Sequence, residues 1–319
     1  MRIIILDGYT TDAGRPEDWT RLHALGEVTV YPRTTRAETV ARCQGASLVM
    51  TNKVILDEAI FAGLPELRYV GLCSTGTNAV DLDAARARGI AVTNVPGYST
   101  QSVAQLVFAM VLHFASGVAP HAAAVKAGRW AAGPDFCFQL QPLVELAGKR
   151  LAVLGMGAIG QQVARIGRAF GMEVLPAAVP GSTTRDRVPL AQALAQADVV
   201  TLHCPLSPAT ANLVNATFLA SLKPGAMLIN TSRGGVVSEP DVVAALAAGR
   251  LGAFASDVLA QEPPSAGHPL TDPNAPYADR VVVTPHLAWL TDEARARLRH
   301  EVGENAAAFL RGERRNRVV

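Results

Sequence analysis

Along this 319-residue chain, short apolar runs are separated by stretches in which apolar residues recur at helical spacing. Runs of four to six apolar residues, opened by charge and closed by Gly, Asn, Thr or Asp, have the pattern of strands buried on both faces. They predict strands over 2–6, 28–31, 47–51, 69–72 and 91–93, with helices between them over 16–25, 36–43, 57–62 and 81–88. A turn cluster at 94–98, containing Pro96-Gly97, marks a domain boundary. It is followed by a long helix over 100–116, apolar almost all round, then a helix over 120–129 and an irregular stretch over 131–146. A helix apolar on every face asks for burial on every face, between domains or in a subunit interface.

The alternation then resumes, with strands over 149–154, 172–178, 198–202, 226–230, 253–256 and 281–284 and helices over 188–196, 239–248 and 291–310. Strands alternating with helices imply parallel sheets covered on both faces. The length exceeds one ordinary core and suggests two domains. The expected class is therefore α/β with two doubly wound parallel-sheet domains, Rossmann-like or flavodoxin-like, and a cleft between them.

The strand over 149–154 runs directly into Gly155-Met156-Gly157-Ala158-Ile159-Gly160, and then into a helix that stops at Gly171. In a strand–turn–helix, Gly155 allows the tight turn, Gly157 lets a pyrophosphate approach the backbone, and Gly160 brings helix close to strand. The helix N-terminus offers unpaired N–H groups to the phosphates. The glycines alone leave a plain strand–loop–helix turn open.

Composition narrows the function classes. The net charge of +2 and the lack of an internal basic stripe argue against nucleic acid, and the basic residues within 311–317 read as a solvated end. Cys43, Cys73, Cys137 and Cys204 show no C-x-x-C spacing, and no His/Cys/Asp/Glu pattern suggests a metal. Residues 1–6 are too short for a signal peptide, and the longest apolar run, 106–112, is too short for a membrane span. The expectation is a cytoplasmic protein in a reducing compartment, with no membrane or nucleic-acid partner.

The ends of consecutive strands carry His203, Arg233, Asp257 and His286, where a doubly wound sheet places its ligand. Hydride transfer to a carbonyl needs a proton donor and a group that fixes the substrate. Histidine side chains can give and take a proton near neutrality, so His286 can donate the proton. Glu262 could orient its ring, and Arg233 could grip a carboxylate through two parallel hydrogen bonds. Taken singly, each also fits a structural role. The loops Thr51-Asn52-Lys53 and 73–78 are ligand loops or simple turns with equal force. Cys204 has only His203 beside it and is not expected to be a catalytic thiol.

The glycine motif, Asn230-Thr231-Ser232-Arg233-Gly234-Gly235, Asp257-Val258-Leu259 with Glu262-Pro263, and Thr284-Pro285-His286 together resemble the D-isomer-specific 2-hydroxyacid dehydrogenases over essentially the whole chain. The resemblance implies catalytic roles for Arg233, Glu262 and His286, with Asp257 at the nicotinamide carboxamide. It places the cofactor against residues 155–160 (Gly155, Met156, Gly157, Ala158, Ile159 and Gly160), Ala178, Ser182, Arg185, His203, Cys204, Pro205, Thr210, Thr231, Ser232, Arg233, His286 and Ala288. The substrate falls to Lys53, Ser74, Thr75, Gly76, Arg233, His286 and Trp289. It further implies a substrate domain of 1–98 plus 287–319, a cofactor domain of 99–286, and a homodimer joined through the cofactor domain.

Residues 73–81 and 286–289 look most like the glycerate dehydrogenase (hydroxypyruvate reductase) branch, which implies reduction of hydroxypyruvate or glyoxylate to the D-2-hydroxy acid. NAD-preferring relatives carry an acid at the end of the second strand to bind the ribose 2′-OH. Here that strand ends at Ala178, followed by Ser182, Thr183, Thr184 and Arg185, which suit a 2′-phosphate. The expected cofactor is NAD(H) or NADP(H) with near-even preference. A dinucleotide-sensing corepressor of the same fold is the alternative from another class, although no docking tail or low-complexity segment favours it. Other 2-hydroxy acids or phosphite are alternative substrates, whereas Glu262 disfavours formate.

Overall fold

The computed structural model describes residues 1–184 and 186–319; Arg185, one of the residues expected at the cofactor, lies outside them. The chain divides into two compact units, Met1–Ser99 with Trp289–Val319, and Thr100–Ala288.

The first unit opens with β1 (Arg2–Ile5), α1 (Tyr9–Asp12), α2 (Thr20–His23), β2 (Glu27–Val30), α3 (Arg36–Cys43) and β3 (Leu48–Thr51). It continues with α4 (Glu58–Ala62), β4 (Tyr69–Leu72), α5 (Leu82–Ala87) and β5 (Ala91–Thr93). All five strands are parallel, in the order β2-β1-β3-β4-β5. β1, β3 and β4 are buried at nearly every position because helices cover both faces of the sheet. Helix starts are chemically marked: the Asp57 carboxylate accepts from Ile60 N–H, and Asp81 accepts from Asp83 and Ala84 N–H.

The helix expected over 16–25 is instead broken. A 3-10 turn at Pro16–Asp18 ends at Trp19, and only Thr20–His23 is α-helical. Trp19 is fully buried and its Nε1–H donates to the Asp12 carboxylate at 3.0 Å. Burying that ring and satisfying its donor outweigh one continued turn.

The second unit comprises α6 (Thr100–Ser116), α7 (Val118–Lys126), β6 (Arg150–Leu154), α8 (Ala158–Ala169), β7 (Glu173–Ala177) and α9 (Leu190–Gln196). There follow β8 (Val199–Leu202), α10 (Ala216–Ser221), β9 (Met227–Asn230), α11 (Glu239–Ala247), β10 (Ala253–Ser256) and β11 (Val281–Val283). Its six parallel strands run β11-β10-β9-β8-β6-β7. The chain then returns to the first unit as α12 (Asp292–Leu310), whose start is capped by Thr291 Oγ1 accepting from Ala294 N–H.

α6 is not buried all round. Ala104, Val107, Phe108, Met110, Val111 and Phe114 enter a core with β6 and α8, while Gln101, Gln105, Ala109 and Ser116 are exposed. Phe108 stacks on Phe170 at 5.3 Å. Full burial of each such side chain contributes about 1.5–3 kcal/mol. α7 starts at Val118, ahead of Pro120, because a proline within the first turn removes no intrahelical hydrogen bond. Among the described residues, no single helix is long and apolar enough to cross a membrane.

Candidate active site

The register of the second sheet sets the site. Ala177, Leu154, Leu202, Asn230, Ser256 and Val283 lie abreast across the sheet. The next residue on each strand, in spatial order Ala178, Gly155, His203, Thr231, Asp257 and Thr284, forms a row along its carboxyl edge. β6 and β8 are neighbours although β7 lies between them in sequence. That reversal opens the crevice in which α/β sheets hold their ligands.

The glycine turn sits at the reversal. Gly155 has φ +100°, and a Cβ there would stand 2.6 Å from the His203 carbonyl carbon, so the turn is pressed against the end of β8. A Cβ on Gly160 would stand 1.9 Å from the Gly155 oxygen. One on Gly157, by contrast, would meet nothing within 4 Å. Gly157 is the N-cap of α8, so the amides of Ala158, Ile159 and Gly160 have no acceptor inside the helix. The surroundings fit a dinucleotide: an open cradle at Gly157, amide donors, and two buried polar atoms on the strand-end row, His203 Nε2 and Thr231 Oγ1, without a hydrogen-bond partner among the described residues.

Burial of that ring nitrogen pushes the His203 pKa down to about 4, which keeps the imidazole neutral. Cys204 is buried in the core and its thiol pKa is raised by desolvation, in keeping with an inert side chain. Thr210 Oγ1 donates to the Pro205 carbonyl at 2.6 Å and accepts from Ser207 N–H at 2.8 Å, which folds the following loop back on itself. Ala178 N–H donates to the Val188 carbonyl, and Ser182 and Thr184 are exposed and linked to each other.

Asn230 shapes the arginine turn, a role absent from the expectations. Its Oδ1 accepts from Ser232 N–H and Oγ–H, and its Nδ2–H donates to the Arg233 carbonyl. A polar residue closing an otherwise apolar strand was the available signal. Arg233 Nη1–H donates to the Ser232 carbonyl at 2.7 Å, the one bond of its guanidinium among the described residues. Gly234 lies so close to the next loop that a Cβ would stand 2.0 Å from the Leu259 carbonyl carbon.

That next loop, after β10, carries Glu262, which meets His286 from the turn after β11. His286 Nδ1–H donates to Glu262 Oε2 at 2.7 Å, and Glu262 Oε1 accepts from Leu259 N–H at 2.9 Å. The carboxylate thereby defines the tautomer of the ring and leaves Nε2 for chemistry. His286 has φ +52°, a left-handed conformation unusual for a non-glycine residue. Asp257 sustains it: its carboxylate accepts from the Thr284 hydroxyl, Leu287 N–H and Ala288 N–H, and its carbonyl accepts from His286 N–H. Burial raises the Asp257 pKa, and these donors oppose that rise. A cavity of about 390 Å³ borders Asp257, Leu259, Glu262, Thr284, Pro285 and His286.

In the first unit, Lys53 follows β3 and Ser74, Thr75 and Gly76 follow β4, all at the carboxyl edge of that sheet. Asp7 holds the Lys53 loop through the amides of Asn52, Lys53 and Val54, at 2.8, 2.6 and 3.2 Å. The other loop is stapled by the Thr75 hydroxyl donating to the Val95 carbonyl and by Asn94 Nδ2–H donating to the Thr75 carbonyl. Trp289, expected at the substrate, packs in the core of this unit, edge-on to Tyr98 at 6.2 Å. Among the described residues, no group of three or more His, Cys, Asp or Glu side chains is placed to hold a metal.

Residues 108–288 match the model of the "D-isomer specific 2-hydroxyacid dehydrogenase, NAD binding domain". The chain is 39% identical over 321 residues to a hydroxypyruvate reductase of Blautia hydrogenotrophica, covering 98% of each. It is 38% identical over 318 residues to a glycerate dehydrogenase of Methylorubrum extorquens, covering 99% of this chain and 98% of the relative. The crystal structure of the TT0316 protein of Thermus thermophilus superposes with a TM-score of 0.86 at 34% identity over the full length of both chains. A doubly wound sheet with a glycine cradle at its reversal and a paired His–Glu on its carboxyl edge thus coincides with full-length relatives: the chain belongs to the D-isomer specific 2-hydroxyacid dehydrogenases, oxidoreductases that act on small 2-hydroxy or 2-keto acids with a nicotinamide dinucleotide.

Proposed function

We propose that this enzyme reduces hydroxypyruvate or glyoxylate reversibly to the D-2-hydroxy acid. The observation that carries the chemistry is the 2.7 Å contact between His286 Nδ1 and Glu262, on the same sheet edge as Arg233 and the glycine cradle. The choice of substrate is supported by the hydroxypyruvate reductase and glycerate dehydrogenase among the relatives. In this reading the second unit holds the dinucleotide, and the first contributes Lys53, Ser74, Thr75 and Gly76 to the substrate.

The bound nicotinamide supplies hydride to the keto carbon. Arg233 offers two parallel N–H groups to the substrate carboxylate, which fixes the carbonyl in place and polarises it. His286 Nε2–H gives its proton to the carbonyl oxygen as negative charge develops there, and Glu262 stabilises the imidazolium from which that proton leaves. In the oxidative direction neutral Nε2 takes the hydroxyl proton. Glu262 need not exchange a proton; it orients the ring and balances its charge.

Ala178 places no carboxylate against a 2′-phosphate, and the exposed hydroxyls of Ser182 and Thr184 follow in the next loop, which supports relaxed use of NADH and NADPH. Initial rates with each cofactor against hydroxypyruvate, glyoxylate, pyruvate and longer 2-keto acids test both points. The expected result is fastest turnover on hydroxypyruvate or glyoxylate, with kcat/KM for the two cofactors within about tenfold, or about 1.4 kcal/mol. Strict use of NADH would reject the relaxed preference, and turnover confined to other keto acids would reject the substrate.

The unit also exposes Val118, Trp130, Phe136, Leu143 and Val144, and no residue of α7 is buried. We propose that a second copy covers this apolar surface in a homodimer. Light scattering should give twice the chain mass for the native protein and the single-chain mass for Phe136→Glu; a monomeric native protein would reject the dimer.

A further inference from the structure

Two consecutive backbone amides hold the loop that presents Glu262. Leu259 N–H donates to Glu262 itself, and Ala260 N–H donates to Glu239 Oε1 at 2.8 Å. Glu239 is the first residue of α11, a helix anchored in the core by Val242, Ala245 and Leu246. Its other oxygen, Oε2, accepts from His268 Nε2–H at 3.1 Å. His268 Nδ1 in turn accepts from Leu270 N–H at 3.3 Å, and Leu270 is buried in the same core. Both Glu239 oxygens and both His268 nitrogens are therefore engaged, in a half-buried pair only 17% and 15% exposed. The pair braces the loop at Ala260, one residue on from the amide that holds Glu262.

We propose that Glu239, supported by His268, is a positioning residue for the Glu262–His286 pair. It acts through the Ala260 amide, which directly follows the Leu259 amide that holds Glu262. This rests on the acid–base reading of His286. Without the Glu239 carboxylate, residues 259–262 lose their link to α11, and the Leu259 amide no longer holds Glu262 at its bonding distance from the ring. Neither Glu239 nor His268 touches the reacting atoms, so dinucleotide binding is untouched.

A double-mutant cycle tests this. Glu239→Ala should lower kcat about tenfold, the scale of a small misplacement of a catalytic group, with dinucleotide affinity measured by NADH fluorescence unchanged. Glu239→Gln keeps an oxygen for the Ala260 amide and should recover most of the rate. In a Glu262→Ala background, where no side chain is left to be positioned against the ring, Glu239→Ala should cost nothing further. If Glu239→Ala is insoluble, His268→Ala serves in the same cycle with a smaller loss. A native kcat in Glu239→Ala, or the same loss in both backgrounds, would overturn the proposal. His286→Ala is measured alongside. If it too keeps its rate, the acid–base reading has failed; if it alone loses activity, only the positioning role of Glu239 has.

Discussion

Replacing His286 by Ala is expected to lower kcat for keto-acid reduction by about 10² to 10⁴-fold, the usual contribution of a positioned general acid. The dinucleotide should bind as before, because three strands, β10, β9 and β8, lie between β11 and the strand that carries the glycine turn. The backbone complicates the experiment. His286 sits at φ +52°, and alanine tolerates that region no better than histidine. Asn is at home there, so His286→Asn separates the two effects: it should keep the turn made by Asp257 with Leu287 and Ala288, keep the melting temperature, and lose the rate as fully as Ala. Glu262→Gln should fall between these variants and the native enzyme, since the amide oxygen still accepts from Nδ1–H without charge to stabilise the imidazolium. Steady-state kinetics together with thermal melting decide it. Native turnover in both His286 variants would remove the histidine from the mechanism.

The second large effect is expected at the glycine turn, where two substitutions of the same size should behave differently. Gly160→Ala puts a methyl 1.9 Å from the Gly155 oxygen, a contact no packed protein tolerates, so α8 must lift from β6. Overpacking of this kind costs about 1–3 kcal/mol. Lifting the helix also carries its terminal amides away from the phosphates, so both the melting temperature and dinucleotide affinity should fall. Gly157→Ala places its methyl in open space and should melt like the native protein, yet dinucleotide affinity should fall because the methyl stands where the phosphate approaches. Thermal melting and NADH titration read the two effects separately. Native affinity in Gly157→Ala would show that the phosphates rest elsewhere.

The contrast between these glycines shows what local pattern reveals. Each has a part in the G-x-G-x-x-G spacing, and the sequence alone assigns Gly155 to a tight turn. The close approach of the His203 carbonyl to Gly155 depends on β8 lying beside β6, a pairing between strands nearly fifty residues apart. Similarly, the apolar runs announce each strand of both sheets, because burial on two faces imposes a compositional signature on four or five consecutive residues. Short helices such as α1 and α10 carry no such signature, being too brief for a periodicity to emerge.

Side-chain roles divide along the same line. Strand ends and their polar residues could be read in order, so the row containing His203 and Asp257, with Arg233 and His286 close behind it, was legible from the chain alone. Trp289 was not. Its ring lies in the core of the first unit, a packing that its neighbours in sequence do not announce. Nor was it legible that Asp257 engages the Thr284 hydroxyl and the Leu287 and Ala288 amides, or that Glu239 reaches Ala260 and His268. The sequence by itself determined the two parallel sheets, the glycine turn and the order of the motifs, because periodicity and turn chemistry act over a few residues. Which side chain braces which loop was decided by the tertiary structure alone, since hydrogen bonds spanning twenty to thirty residues depend on how strands align across a sheet, and no local spacing encodes that.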